Sequence, residues 1–364
     1  MLVLLAMLGV AFFLIVSLLA HTYQEQRAEL GNRWFTRGVA DLNGQKYGAA
    51  VTEFRAALLY SRDEYSYQLN LAEALIGWKH SNEASAYLLN LWDREPDNGL
   101  VNVELARIAA DQGRSEDAIR YYHGAVYAAW PHGEEANRRA ARLELIEFLL
   151  RNHRDTEAQS ELIALAANVG EDPAQQAHVG DLFLRANDYE HALAAYRASL
   201  RLSERNPAAL AGAGYAAFEL RNYPVAARYL QDAVSANAND TQSADRLKTA
   251  EMVLRLDPFR RNVSVSERNR IVIEAFITAG ARLKNCGSPQ PNGHSAAGAG
   301  PSASDDWNRL KPQISEAGLR RNPDLALTAM DVVFRIERDT SNSCGAPTGA
   351  DLALLLISKL HEGS

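Results

Sequence analysis

The chain has 364 residues, a net charge of −7 and 47% hydrophobic residues. That is enough apolar material for a sizeable core and an acidic balance that argues against nucleic acid as the main partner. Its two cysteines, Cys286 and Cys344, are too far apart for a metal-binding Cys-x-x-Cys, so no zinc site is expected. The nine histidines include no H-E-x-x-H and no pair at i, i+4. His123, His153, His178 and His191 fall where surface or inter-helix residues are expected. Gly298-Ala299-Gly300 lies in a Pro/Ser-rich stretch and opens no helix, and there is no G-x-S-x-G elbow. These absences predict a protein without catalysis, cofactor, metal or small-molecule substrate.

Residues 1–20 carry no charge and only Ser17 as a polar side chain. Twenty helical residues span about 30 Å, the thickness of a bilayer's hydrocarbon core. A cleaved signal peptide is the competing reading, but it wants a basic start and a small residue at −3, and here the start lacks Lys or Arg and the stretch ends Leu18-Leu19-Ala20. The expectation is an uncleaved single-pass anchor in contact with lipid, followed by a linker at 21–30. Arg27, Arg33 and Arg37 after the span place the remainder in the cytoplasm by the positive-inside rule. The cysteine pair points to the opposite side, because persistent disulfides belong to oxidising compartments. An extracytoplasmic, periplasmic location is the reading adopted here.

From residue 31 a repeat emerges. Ala50, Ala84, Ala118, Ala158, Ala192 and Ala226 are spaced by 34, 34, 40, 34 and 34 residues. Four residues after each stands Phe54, Leu88, Tyr122, Leu162, Tyr196 or Leu230. Twelve residues before each stands Gly38, Ala72, Ala106, Ile146, Gly180 or Gly214. A fixed period of this length predicts stacked pairs of short helices, none of which buries its own apolar stripe alone. Within a unit, helix A carries Trp34, Gly38 and Leu42, and helix B carries Ala50, Phe54, Ala57 and Leu58. Small residues let the two backbones approach, and the neighbouring aromatic fills the remaining gap. Turns are marked by Asn43-Gly44, Gly113 and Asn187-Asp188, and Pro96, Pro173 and Pro207 stand at junctions between units.

The first unit, with Trp34, Gly38, Tyr47, Ala50, Phe54 and Ala57, resembles the tetratricopeptide repeat family, as does the second with Ala72, Ala84, Leu88 and Pro96. The resemblance covers roughly residues 31–240 and implies an all-α solenoid of helical hairpins that binds proteins or peptides on its concave face. Extra residues from Trp130 to Glu135 account for the 40-residue spacing. They predict a longer loop or a kink that divides the array into blocks of three repeats at 31–132 and 133–240.

In a solenoid of this kind two helix A positions face the groove. The position after the small residue holds Val39, Glu73, Arg107, Glu147, Asp181 and Tyr215. The position three before it holds Phe35, Leu69, Val103, Leu143, Ala177 and Ala211, apolar throughout. An apolar row beside alternating charges suits an amphipathic helix or extended peptide. The Lys and Asn that would grip a terminal carboxylate in this family are absent. The same apolar residues also suit packing against the next unit.

Past residue 240 the repeat ends. Capping helices are expected over 241–285, with one at Thr241–Leu256 and a second opened by Ser264 and Glu267 as a capping box. A flexible Gly/Ser/Pro loop is expected at 286–304. A helical region follows at 305–364, with helices near Asp305–Gly318, Asn322–Asp339 and Gly349–His361. Cys286 and Cys344 stand on either side of the Gly/Ser/Pro loop and the first two of these helices, and are read either as a bridge or as two unpaired buried thiols. The functional expectation is a membrane-anchored scaffold that assembles a cell-envelope complex, the alternative being a chaperone-like holdase for unfolded or maturing clients.

Overall fold

A computed structural model describes residues 2–128, 130, 134–286 and 302–362, with side chains beyond the description at 2–11, 13, 15, 20 and 134. The described residues fold into α-helices that form two units, Met1–Glu161 and Leu162–Ser364. The first holds α1 (Leu2–Asn43), α2 (Tyr47–Tyr60), α3 (Tyr65–Gly77), α4 (Ser81–Arg94), α5 (Gly99–Asp111), α6 (Ser115–Tyr127) and α7 (Glu134–Arg151), and α8 (Asp155–Ala166) crosses the boundary. The second continues with α9 (Pro173–Arg185), α10 (Tyr189–Leu202), α11 (Pro207–Glu219), α12 (Tyr223–Ala236) and α13 (Thr241–Leu256).

Each expected repeat is a helical hairpin, α1/α2 through α11/α12. The six repeat alanines are all fully buried. The glycine positions explain why: a Cβ on Gly38 would collide with the ring of Phe54, and one on Gly180 with Tyr196. In the first and fifth repeats helix A and helix B therefore meet at glycine, and the aromatic of helix B occupies the space a side chain would need.

Every hairpin turn has three residues, and the middle one is left-handed: Gln45, Lys79, Gly113, His153, Asn187 and Arg221, with φ between 56° and 71°. The turns close with the paired backbone bonds of a Schellman motif, as where His80 N–H donates to Leu75 C=O at 2.8 Å and Lys79 N–H to Ile76 C=O at 2.9 Å. Only Gly113 adopts this conformation without steric cost. Lys79→Gly and His153→Gly are each expected to stabilise the protein by roughly 1 kcal/mol, read as a raised thermal midpoint. An unchanged or lowered midpoint would show that Gly's extra freedom in the unfolded chain outweighs the relief.

Between repeats the entries are capped. Asp172 and Asn206 accept backbone N–H groups from the first turns of α9 and α11, each beginning with Pro at N1. The 40-residue spacing has a different origin from the one expected. Most of the insertion lengthens helix A of the fourth repeat: α7 has 18 residues where α3, α5, α9 and α11 have 13. Residues 131–133, part of the expected longer loop, lie outside the described residues.

The N-terminal expectation is also modified. Residues 21–30, read as a linker, are helical, and α1 runs unbroken into the first repeat. Among the described residues no helix is long and apolar enough to cross a membrane. Most side chains of the expected anchor lie outside the description.

The rest of the second unit is α14 (Val265–Cys286), α15 (Ala303–Leu310), α16 (Glu316–Arg321), α17 (Asp324–Ser343) and α18 (Gly349–His361). One expected helix, Asp305–Gly318, is instead two. Pro312 cannot donate to a helix ladder, and the chain reorganises there before Ser315 caps α16. Ser264 Oγ accepts from Glu267 N–H at 3.2 Å, but the Glu267 carboxylate pairs with Arg270, so only half of the expected capping box forms. A complete box stands at Ser302 and Asp305. Val272, Ala275, Phe276, Ala279, Trp307, Met330, Val333 and Leu354 form the core of this region, continuous with Ala250 and Val253 of α13. Residues 287–301, which include most of the expected flexible loop, lie outside the description. Cys286 and Cys344 are joined by a disulfide, with Cα atoms 5.7 Å apart.

Candidate partner-binding face

In the first unit, α3, α5 and α7 are the A helices of consecutive repeats. The apolar row divides in two. Val103 is 4% exposed and belongs to the core. Phe35 is half-buried, with its ring stacked on Tyr67 at 4.8 Å and 5.7 Å from Phe54. Those two join neighbouring helices. Leu69 and Leu143 remain only partly covered, as does Val39.

The charged row is better organised than the sequence suggested. Arg107 makes a two-pronged contact with Glu144, with Nε donating at 2.9 Å and a terminal nitrogen at 2.5 Å. Its other terminal nitrogen donates to Glu104 at 2.5 Å. A guanidinium held in this fork is fixed in direction as well as charge. Burial raises the Glu104 carboxyl above its ordinary value, against the opposing pull of Arg107, with Glu73 and Glu144 adding to the rise. Burial also raises Glu73. Beside the pair is an open cavity of about 350 Å³ lined by Arg107, Asp111, Tyr122, Leu143, Glu144, Glu147 and Arg151. Of the expected groove residues, Arg107, Leu143 and Glu147 are thus brought to one place.

Glu104 and Glu144 are not among the residues expected from the repeat, and Tyr122 is expected only as the bulky residue that packs between the helices of its unit. The signal was present: Glu104 precedes Arg107 by three residues and Glu144 precedes Glu147 by three, a spacing that shares a helix face.

In the second unit the corresponding side chains are engaged by their own chain. Asp181 accepts the hydroxyl proton of Tyr196, whose ring lies against Gly180 and Gly212. Burial, then this bond, pushes the Tyr196 hydroxyl far above the usual tyrosine range. The ring of Tyr215 has Arg246 over it at 4.4 Å and Tyr189 edge-on at 6.3 Å. Ala177 is buried. The surface best furnished to receive a partner is therefore that of α3, α5 and α7.

No curated protein matches the chain. Three similar solved structures are PilF of Pseudomonas aeruginosa, YrrB, and part of a TPR repeat-containing protein from Cytophaga hutchinsonii. PilF is 16% identical, over 60% of this chain and 97% of that one, with a TM-score of 0.40. YrrB, described as a TPR protein with an unusual peptide-binding site, is 14% identical over 52% and 95%, with a TM-score of 0.41. The Cytophaga protein is 12% identical over 69% and 91%, with a TM-score of 0.45. Residues 80–134 and 180–243 match the family model of the tetratricopeptide repeat. With those segments lying in the hairpins described above, the chain carries tetratricopeptide repeats.

Proposed function

We propose that this protein is a tethered docking scaffold, without catalysis of its own, that holds a partner protein or peptide on α3, α5 and α7 during assembly of a cell-envelope complex. The observation that carries the reading is the cavity at Arg107, where partly exposed Leu143 adjoins an arginine already fixed by two carboxylates. An apolar anchor with a rigid charged register beside it is what peptide-binding grooves require. A tether at residues 1–20 is supported by Phe12, Leu14, Leu18 and Leu19, all more than 60% exposed in a charge-free segment. The disulfide supports an oxidising compartment such as the periplasm, against the pull of Arg27, Arg33 and Arg37.

The test is in-cell crosslinking of the full chain, with recovered proteins identified by mass spectrometry. Leu69→Ser with Leu143→Ser is expected to reduce recovery of near-stoichiometric partners by about tenfold while helix content stays unchanged. Val103 is left intact because it is core. Undiminished recovery would reject the face, and a long series of unrelated unfolded chains would make the protein a holdase instead.

A further inference from the structure

A second surface, on the C-terminal helices, is positively charged on a chain whose net charge is −7. Along α14, Ile273, Ile277, Gly280 and Lys284 are spaced i, i+4, i+7, i+11 and so share one face over about three turns, some 16 Å. Together with Trp307 of α15 and with Lys311 and Ile314 beyond it, they line a cavity of about 450 Å³. Ile277 stands 63% exposed at its edge, whereas Trp307 is only 7% exposed and forms the floor. The indole is fixed there from both sides. Its ring stacks on Phe276 at 5.6 Å, and its Nε1 donates to the Phe276 carbonyl at 3.1 Å. Gly280 leaves the space the ring occupies, since a Cβ at that position would overlap it.

Two ammonium groups stand over the same ring, Lys311 at 4.8 Å and Lys284 at 5.8 Å from its centroid. The chain has six lysines in all and an excess of acidic residues, yet two of the six meet at this one tryptophan. None of the lining residues is acidic, and among the described residues no ion pair joins either lysine to a carboxylate. The surface is thus an apolar trough with a rigid aromatic floor and an uncompensated positive rim, on a protein of the opposite net charge.

We infer that the trough of α14 and α15 receives an amphipathic helical segment of a partner protein, its apolar stripe flanked by Asp or Glu. Isoleucines at the trough contact the stripe, and Lys284 and Lys311 receive the flanking carboxylates. Charge complementarity selects this occupant over a basic segment, which both ammoniums would repel. The site is independent of the α3, α5 and α7 face.

Selection of a phage-displayed library of random peptides of about sixteen residues on the immobilised full chain tests the inference. Counter-selection uses two full-length variants of unchanged helix content, Lys284→Glu with Lys311→Glu, and Ile277→Asp. Enriched peptides are expected to carry an apolar stripe and net negative charge. They should bind both variants about tenfold more weakly, lose affinity in high salt, and bind the Leu69→Ser with Leu143→Ser variant unchanged. Enrichment of basic peptides, or of none that depends on Lys284, Lys311 and Ile277, overturns the inference. So does self-association of the chain abolished by Ile277→Asp, which would make the occupant a second copy. Cosedimentation with phosphatidylserine vesicles abolished by the lysine reversals would make it a membrane, and likewise overturns it.

Discussion

Replacing Arg282 with methionine is expected to destabilise the C-terminal helices by about 3–5 kcal/mol near pH 8.5, and by much less near pH 5. The reason lies in Glu337 of α17, which is 0% exposed. Its carboxylate has one charged neighbour at close range, the Arg282 Nε at 3.4 Å, and neither carboxylate oxygen accepts a hydrogen bond. Arg282 is itself shared. It donates to Thr340 Oγ1 at 2.7 Å and to the Gly345 carbonyl at 3.0 Å, and lies 3.5 Å from Asp351 of α18. Burial, with Asp351 adding to it and Arg282 opposing it, pushes the Glu337 carboxyl up to about 8.

The sign of the pH dependence follows. Between the ordinary glutamate value and about 8, the folded state holds a proton at Glu337 that the unfolded chain has released. Stability must therefore fall as pH rises through that window and level off above it. Burial likewise raises Asp351, which adds to the trend at the acidic end. Near pH 5, where the folded protein keeps the proton on Glu337, Arg282→Met loses the hydrogen bonds to Thr340 and Gly345 and the contact with Asp351. Above the window the variant must either keep the proton on Glu337, at a cost that grows with pH, or bury an ionised carboxylate with no cation, so its stability goes on falling at pH values where the wild type has levelled off. Glu337→Gln removes the titrating group and should flatten most of the slope. The measurement is hydrogen exchange of α14 and α17 amides, corrected for intrinsic rates, at both pH values in all three proteins. Parallel pH profiles for wild type and Glu337→Gln would show that Glu337 does not titrate in this range.

The contrast between repeats and tail explains what could be read beforehand. The repeat is a local code. An alanine, the aromatic four residues later and a glycine twelve before are close in sequence and in space, so the buried Ala50, Phe54 and Gly38 contact could be inferred from spacing alone. Among the left-handed turn residues Gly113 and Asn187 were legible too, whereas Lys79, His153 and Arg221 were not, because they adopt that conformation through the Schellman bonds of the hairpin and not through their own preference. For Val103 the sequence left groove and packing both open, and its burial selects packing, which depends on how closely the neighbouring helices approach. Arg107 was foreseen as a groove charge, whereas the fork to Glu144 bridges two repeats 37 residues apart. Glu337, Arg282 and Asp351 are farther from any local rule. They come from three helices with no period relating them, and only the packed tail shows that they meet. Cys286 and Cys344 belong to the same class: composition allowed a bridge or two thiols, and the convergence of the ends of α14 and α17 selects the bridge.

That bridge carries the other large expected effect. It spans a sequence separation of 58 residues, and closing a loop of that size in the unfolded chain is worth roughly 4 kcal/mol in the chain-entropy model. Cys286→Ser with Cys344→Ser, or reduction of the native protein, is expected to cost the C-terminal helices about that much. The disulfide also ties the chain one turn beyond Arg282 to the residue before Gly345, whose carbonyl Arg282 holds, so its loss should loosen the ion cluster along with the helix ends. Hydrogen exchange should therefore accelerate first at the C-terminal ends of α14 and α17, while α9 to α11 of the same unit keep their protection. If the double variant exchanges like the wild type, the apolar core of Phe276, Val333 and Leu354 holds these helices without help. If reduction instead opens them, the tail requires an oxidising surrounding to stay folded. In that case, thiol labelling of unreduced protein taken directly from cells should find neither cysteine reactive, which would place the tail on the extracytoplasmic side. Ready labelling of both would place it in a reducing compartment, where the tail would be open.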